Sequence, residues 1–176
     1  PFDDTMTASW EDVADGVRFI TNNDATVINA SLGVPGYTLH PGWNEVFQDK
    51  DISKAAKERV FVFSAGNDGS TQTADVEWDI KKNPVFLVVG SVDNDNVISD
   101  FSNRPGTACL VKKVGGNCKE GDRLMDRFIV APGEFVLVSD GQGGVTRVSG
   151  TSFAAPLVSG TIALIHDRWP WLAKNP

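Results

Sequence analysis

The chain has 176 residues, of which 41% are hydrophobic and 22% charged, as expected of one globular domain with a sizeable core. Its 16 Lys and Arg against 23 Asp and Glu give a formal net charge of −7, which excludes a nucleic-acid partner because phosphate contacts need clustered cations. The longest apolar stretch, residues 153–165, is too short and too interrupted to cross a bilayer, so no membrane span is expected.

Apolar residues recur along the chain with helical spacing in some segments and as short continuous runs in others. The short runs predict strands over residues 26–32, 60–64, 85–90, 128–130, 135–139 and 145–149. Helical spacing predicts helices over residues 10–20, 43–59 with a break near 49–51, and 151–168. Strands that alternate with helices indicate a mainly parallel sheet covered on both faces, with a later antiparallel hairpin.

The last predicted helix opens with Gly150-Thr-Ser-Phe-Ala-Ala-Pro156, which places a serine in its first turn. Proline is tolerated there because the early N–H groups of a helix have no intrahelical partner. Those N–H groups and the positive end of the helix dipole suit a serine whose attack creates an oxyanion. Ser152 is therefore a candidate nucleophile, and a simple N-cap role for Thr151 or Ser152 is the alternative.

Two further segments follow predicted strands, at the end of the sheet where open α/β proteins bind ligands. They are Ser31-Leu-Gly33 and Ala65-Gly-Asn67. The side-chain amide of Asn67 is a candidate hydrogen-bond donor to a developing oxyanion. A turn asparagine in the left-handed conformation is the alternative.

These segments resemble the motifs of subtilisin-like serine proteases, the subtilases. Six segments match in the family's order: Val27–Gly33, Phe61–Asn67, Asn83–Val92, Phe101–Asn103, Ala131–Gly133 and Ser149–Gly160. The resemblance implies a three-layer α/β/α fold with a mainly parallel sheet, and a serine endopeptidase that acts on peptide or protein substrates. It also implies that residues 1–176 are a partial catalytic domain, truncated on the N-terminal side and slightly at the C-terminus.

The family's roles carry over to the matching positions. Ser152 resembles the nucleophile, and Asn67 resembles the side-chain oxyanion donor, with the Ser152 backbone N–H as the second donor. The resemblance implies substrate contacts at Ser31, Leu32, Gly33, Ala65, Gly66 and Thr151. The floor of the S1 pocket is expected near residues 79–83, and Pro84 resembles a proline whose peptide bond is cis.

The Asp and His of a subtilase triad precede the substrate strand, and neither motif is present in this sequence. A serine hydroxyl without a base is a weak nucleophile. His40 follows the substrate strand, where the family has a variable loop, and His166 lies 14 residues (166 − 152) beyond Ser152, about 21 Å along the same helix. We therefore expect the isolated chain to be an inefficient protease, with the Asp- and His-bearing part absent from it.

Three alternatives to this protease stay open. The first is a catalytically dead pseudoprotease, or peptide-binding module, of the same fold. The second, an α/β-hydrolase, needs a glycine where Ala154 stands, and the third, a sedolisin-like acid protease, has an Asp in place of Asn67.

A truncated parallel sheet also exposes an edge, so we expect the chain to associate with another copy through that face or to rearrange.

The only two cysteines, Cys109 and Cys118, enclose eight residues that include two glycines. This spacing predicts a disulfide, with two free thiols as the alternative. A disulfide would favour a secreted or extracytoplasmic protein, which fits a bacterial enzyme.

No cofactor is required for the chemistry that these motifs imply. The family usually binds structural calcium, and the candidate oxygen ligands here are Asp68, Asp75, Asp93 and Asp95. Because none of them lies in a recognisable ligand loop, solvated turn carboxylates are the better interpretation.

Overall fold

A computed structural model describes residues 7–79, 83–113 and 115–173. Its strands are β1 (Val27–Ala30), β2 (Val60–Ser64), β3 (Val76–Glu77), β4 (Val85–Val92), β5 (Leu110–Val111), β6 (Phe128–Pro132), β7 (Val136–Ser139) and β8 (Val145–Val148). Its helices are α1 (Trp10–Asn22), α2 (Gly42–Gln48), α3 (Lys50–Ala56), a 3₁₀ turn (Leu124–Arg127) and α4 (Thr151–Arg168).

The central sheet has four parallel strands in the order β1-β2-β4-β6. Helices α1, α2 and α3 pack on one face with a cluster that includes Phe61 and Phe63, and α4 packs on the other with Val60 and Val62. All five residues of β2 are buried, because side chains of a strand alternate between two covered faces. The three-layer α/β/α fold predicted from the sequence is confirmed.

Two helix ends follow local signals in the sequence. Ser9 and Asp12 form a capping box at the start of α1, with N···O distances of 3.1 and 3.2 Å. The predicted break in the second helix is also present. The backbone of Asp49 leaves the helical conformation after α2, and Asp49 is the N-cap of α3. Its carboxylate accepts the N–H groups of Asp51 at 2.8 Å and Ile52 at 3.2 Å.

The structure differs from the sequence-based expectations in three places. β1 ends at Ala30, two residues earlier than predicted, because its pairing with β2 stops at Ala30 and Phe63. No peptide bond in the described ranges is cis, so the cis bond expected at Pro84 was wrong, and the ordinary trans preference holds. The short pair β3–β5 was not predicted, because two-residue strands carry no periodic signal.

Within the described ranges, β1 has a strand neighbour on one side only, and α4 leaves apolar side chains exposed. Leu157 is 48% exposed and Leu164 is 73% exposed. A helix that is apolar all round is usually buried, so this face is suited to covering by another segment or chain. Self-association through the truncated side of the sheet stays a prediction.

Cys109 and Cys118 are joined in a disulfide, with their Cα atoms 5.7 Å apart. Cys109 is buried beside β5, and Cys118 is exposed.

In the described part of the chain, no helix combines the length and apolar character needed to cross a bilayer.

Candidate active site

The start of α4 is fixed by two glycines from different parts of the chain. Gly150 precedes the helix with a φ of +156°, which side-chain-bearing residues rarely adopt. Its N–H donates to the carbonyl oxygen of Gly133 at 2.8 Å. The Ala131–Gly133 motif therefore holds the backbone that leads into Ser152.

Thr151 is fully buried and connects α4 to the loop after β2. Its backbone N–H and its hydroxyl both donate to Oδ1 of Asn67, at 2.8 and 2.9 Å. The same hydroxyl oxygen accepts the N–H of Gly66 at 3.1 Å. Because Oδ1 of Asn67 accepts both donors, the orientation of the Asn67 amide is fixed and its NH₂ group points away from Thr151.

This arrangement leaves two hydrogen-bond donors beside Ser152 without an acceptor in the described residues. One is the NH₂ group of Asn67, which is exposed, and the other is the Ser152 N–H in the first turn of α4. Two converging donors at a helix N-terminus can stabilise a negatively charged oxygen.

No side chain in residues 7–79, 83–113 or 115–173 hydrogen-bonds the Ser152 hydroxyl. His40 instead accepts the N–H of Gly42 on Nδ1 at 3.0 Å, and its ring stacks on Trp10 with centroids 5.2 Å apart. His166 lies near the far end of α4, and its buried Nδ1 has no hydrogen-bond partner among the described residues. The contacts of His40 are therefore with Trp10, Tyr37 and Gly42, and Ser152 is not among them.

The contacts of His40 lead to a prediction about pH. Burial lowers the pKa of His40 below its ordinary 6.5, and the opposing effect of Glu45 is smaller. The fold thus favours neutral imidazole, so the stability that His40 contributes is full above pH 6.5 and is lost as pH falls through the lowered pKa. We expect the thermal midpoint to fall between about pH 7 and pH 5, and to fall less in His40→Phe.

Calorimetry at both pH values checks this, and an equal fall in the two proteins would contradict it. The carboxylates of Asp12, Asp49 and Asp140 do not interfere, because hydrogen bonds lower their pKa values below 3.8. Their effect on stability therefore appears only at more acidic pH.

The predicted substrate edge lies directly beside Ser152. The hydroxyl of Ser31 donates to the Ser152 carbonyl oxygen at 3.1 Å and accepts the Asn29 amide at 3.0 Å. Leu32 and Gly33 border a mostly apolar cavity of about 460 Å³. The rest of its lining is Thr7, Ala8, Trp10, Val13, Val34, Pro35 and Trp43.

The structure brings the other predicted substrate residues to the same end of the sheet. Ala65 is fully buried, and its backbone N–H donates to the carbonyl oxygen of Val89 at 2.9 Å. Gly66 has a φ of +98° and donates to Thr151. Of the predicted pocket floor, residues 80–82 lie outside the described residues.

Three of the four candidate calcium ligands, Asp68, Asp75 and Asp93, accept hydrogen bonds from backbone N–H groups. The carboxylate of Asp68 accepts from Gly36 at 3.0 Å, and those of Asp75 and Asp93 accept backbone N–H groups at 2.9 Å. These oxygen atoms are turned toward the protein's own donors, and no group of three suitable ligands occurs among the described residues. Structural calcium is not tested by this geometry.

Comparisons with known proteins agree with the fold and the motifs. A family model described as the Subtilase family matches residues 2–175. The epidermin leader peptide-processing serine protease EpiP of Staphylococcus epidermidis is 31% identical over 189 residues, which cover 89% of this chain and 41% of EpiP. The major intracellular serine protease of Bacillus subtilis is 31% identical over 162 residues, which cover 90% of this chain and 42% of that protein.

Among solved structures, the Prenylagaramide maturation protease PagA matches with a TM-score of 0.63 and 26% identity, over 94% of this chain and 52% of PagA. The fold and the sequence matches define the class as subtilisin-like serine proteases. The chain belongs to the subtilase family. It spans about half or less of the length of these relatives. Because one relative is named as intracellular, a secreted location stays a prediction.

Proposed function

We propose that the protein is a serine endopeptidase in which Ser152 is the nucleophile. The observation that carries the proposal is the pair of unused donors at Asn67 and Ser152, held by the contacts of Thr151. A base supplied from outside the described residues takes the Ser152 proton as Oγ attacks the peptide carbonyl. The oxyanion is stabilised by the Asn67 NH₂ and the Ser152 N–H. The amine leaves with that proton, and water then hydrolyses the acyl-enzyme.

The substrate is a peptide or protein segment that binds in extended form along Ser31, Leu32 and Gly33. Main-chain hydrogen bonds to such an edge give affinity, and a neighbouring pocket gives specificity. The cavity beside Leu32, lined largely by apolar side chains, favours a substrate with an apolar residue at that position.

Replacement of Gly33 by valine tests this binding mode. A Cβ atom built at Gly33 meets no atom within 4 Å, so a side chain can begin there without a clash at Cβ. We expect Gly33→Val to lower kcat/KM for extended peptides by about tenfold or more, because it obstructs strand addition. The thermal midpoint and the rate of Ser152 labelling by a small fluorophosphonate should stay unchanged, and equal loss of labelling would contradict the interpretation.

A pseudoprotease of the same fold is the second candidate, favoured by the lack of a base for Ser152 among the described residues. Both candidates bind peptides, and only the protease turns them over. The test is to express the complete open reading frame that encodes this chain and to assay it with a library of fluorogenic peptides. Ser152-dependent hydrolysis supports the protease, and saturable peptide binding without hydrolysis supports the pseudoprotease. The isolated 176-residue chain is expected to hydrolyse peptides poorly.

A further inference from the structure

Asn103 lies in the loop between β4 and β5 and is completely buried. Its Oδ1 accepts the backbone N–H groups of Asp68 and Ser70, both at 3.0 Å. Its Nδ2 donates to the carbonyl oxygen of Tyr37 at 3.1 Å and to the Asp68 carboxylate at 3.3 Å. The side-chain amide of Asn103 thus makes two hydrogen bonds through its oxygen and two through its nitrogen. These bonds join two loops, and Asn103 belongs to neither of them.

The two loops that Asn103 joins are the two sides of the candidate active site. The loop of residues 65–70 carries Asn67, and the turn of residues 34–37 follows the substrate edge. A third contact reinforces the link, because the Asp68 carboxylate also accepts the N–H of Gly36 at 3.0 Å. The backbone N–H of Asn103 also donates to the carbonyl oxygen of Gly66 at 3.1 Å. Because Gly66 directly precedes Asn67, this bond holds the backbone that leads into Asn67.

The side chain of Asn103 fills the space beside Gly66. A Cβ atom at Gly66 would collide with Nδ2 of Asn103, and the φ of +98° there also favours glycine. Thr151 fixes the Asn67 side chain from the side of α4, and Asn103 bonds the backbone of the residues before and after it, Gly66 and Asp68.

We propose that Asn103 is a positioning residue, whose buried amide sets the Asn67 oxyanion donor at a fixed distance from the peptide-binding edge. The proposal rests on the proposed function, because the distance matters only if a peptide carbonyl is held between the two. Without Asn103 the fold remains, and the loop of residues 65–70 moves relative to the edge. The transition state is then less stabilised, because an oxyanion donor acts only at its correct position.

The chain offers a closely matched control in Gln72. It is also buried, and its Oε1 accepts the N–H groups of Thr38 at 2.7 Å and Leu39 at 2.9 Å. Its Nε2 donates to the carbonyl oxygens of Leu39 and Ala74, both at 3.1 Å. The side chain of Gln72 thus makes the same number of bonds as that of Asn103, with a second carbonyl oxygen in place of the Asp68 carboxylate, but none of them reaches the loop that carries Asn67.

The first test compares Asn103→Ala and Gln72→Ala in the protein made from the complete open reading frame. We expect similar losses of thermal stability in both, and a fall in kcat of at least about tenfold, with little change in KM, in Asn103→Ala alone. In an Asn67→Ala background, Asn103→Ala should cost almost no further activity, because both changes remove the same donor. Equal kcat losses in the two amide variants, or additive losses with Asn67→Ala, would overturn the proposal.

The second test needs no turnover, so it separates this proposal from the proposed function. In the 176-residue chain, the side-chain amide resonances of Asn67 are followed by ¹⁵N NMR in both variants. We expect them to shift or broaden in Asn103→Ala and to stay in place in Gln72→Ala. If they are unchanged in Asn103→Ala, the positioning role is wrong, whatever the protein hydrolyses. If they change and the wild-type protein hydrolyses no peptide, the positioning role stands and the proposed protease activity fails.

Discussion

Ser152→Ala is expected to lower kcat for peptide hydrolysis by about 10⁶-fold, the loss known for the nucleophile of subtilisin. The hydroxyl is the only group of Ser152 that the change removes, and it makes no hydrogen bond to any described residue. The fold should therefore stay intact, with a thermal midpoint near that of the wild type. The measurement is kcat on a fluorogenic peptide, made with the protein from the complete open reading frame.

Ser159→Ala is the matched control, because it removes a serine hydroxyl from the same helix. The Ser159 hydroxyl bonds to Asn29 at 3.0 Å and to the Ala155 carbonyl oxygen at 3.1 Å. We expect this variant to keep most of its activity. Retention of more than a trace of hydrolysis by Ser152→Ala, with the same substrate preference, would mean that another group is the nucleophile.

Asn67→Asp is expected to lower kcat by about 10²–10³-fold or more. Removal of the equivalent donor of subtilisin lowers kcat by about that factor. The change keeps an oxygen where Asn67 accepts the N–H and hydroxyl of Thr151. It replaces the NH₂ group by an oxygen that repels a developing oxyanion. The fold and KM should therefore change little, and the loss should appear in kcat.

Comparison with Asn67→Ala separates the two roles of the side chain. Alanine removes the donor and also the acceptor for Thr151, so it should lower both kcat and the thermal midpoint. Aspartate should lower kcat at least as much and leave the midpoint near the wild-type value. If Asn67→Asp has wild-type kcat, Asn67 donates nothing to the transition state, and the proposed oxyanion site is wrong.

The elements that could be predicted from the sequence are those with a local cause. The five-residue run Val60–Ser64 is apolar throughout because both of its faces are covered. The Asp49 break and the Ser9 cap arise from side chains that bond backbone groups two or three residues away. The start of α4 at Thr151 follows from the glycine before it.

The connections that hold the site could not be predicted in the same way. Thr151 and Asn67 are 84 residues apart, and their bonds depend on how α4 packs across the sheet. Asn103 lies in a recognised motif, Phe101–Asn103, yet its partners belong to two other loops. The signal available in the sequence was only the presence of an asparagine in that motif, which does not reveal its partners. Pro84 illustrates the opposite error, since a family property was carried over that this chain does not show.

The most direct test of the central claim is to treat the protein from the complete open reading frame with a fluorophosphonate and locate the adduct by peptide mass mapping. A fluorophosphonate reacts with a serine only when a base activates it and an oxyanion site accepts the phosphoryl oxygen. The account predicts one adduct, on Ser152, with labelling that slows in Asn67→Asp. An unlabelled protein, or an adduct on another residue, would contradict it.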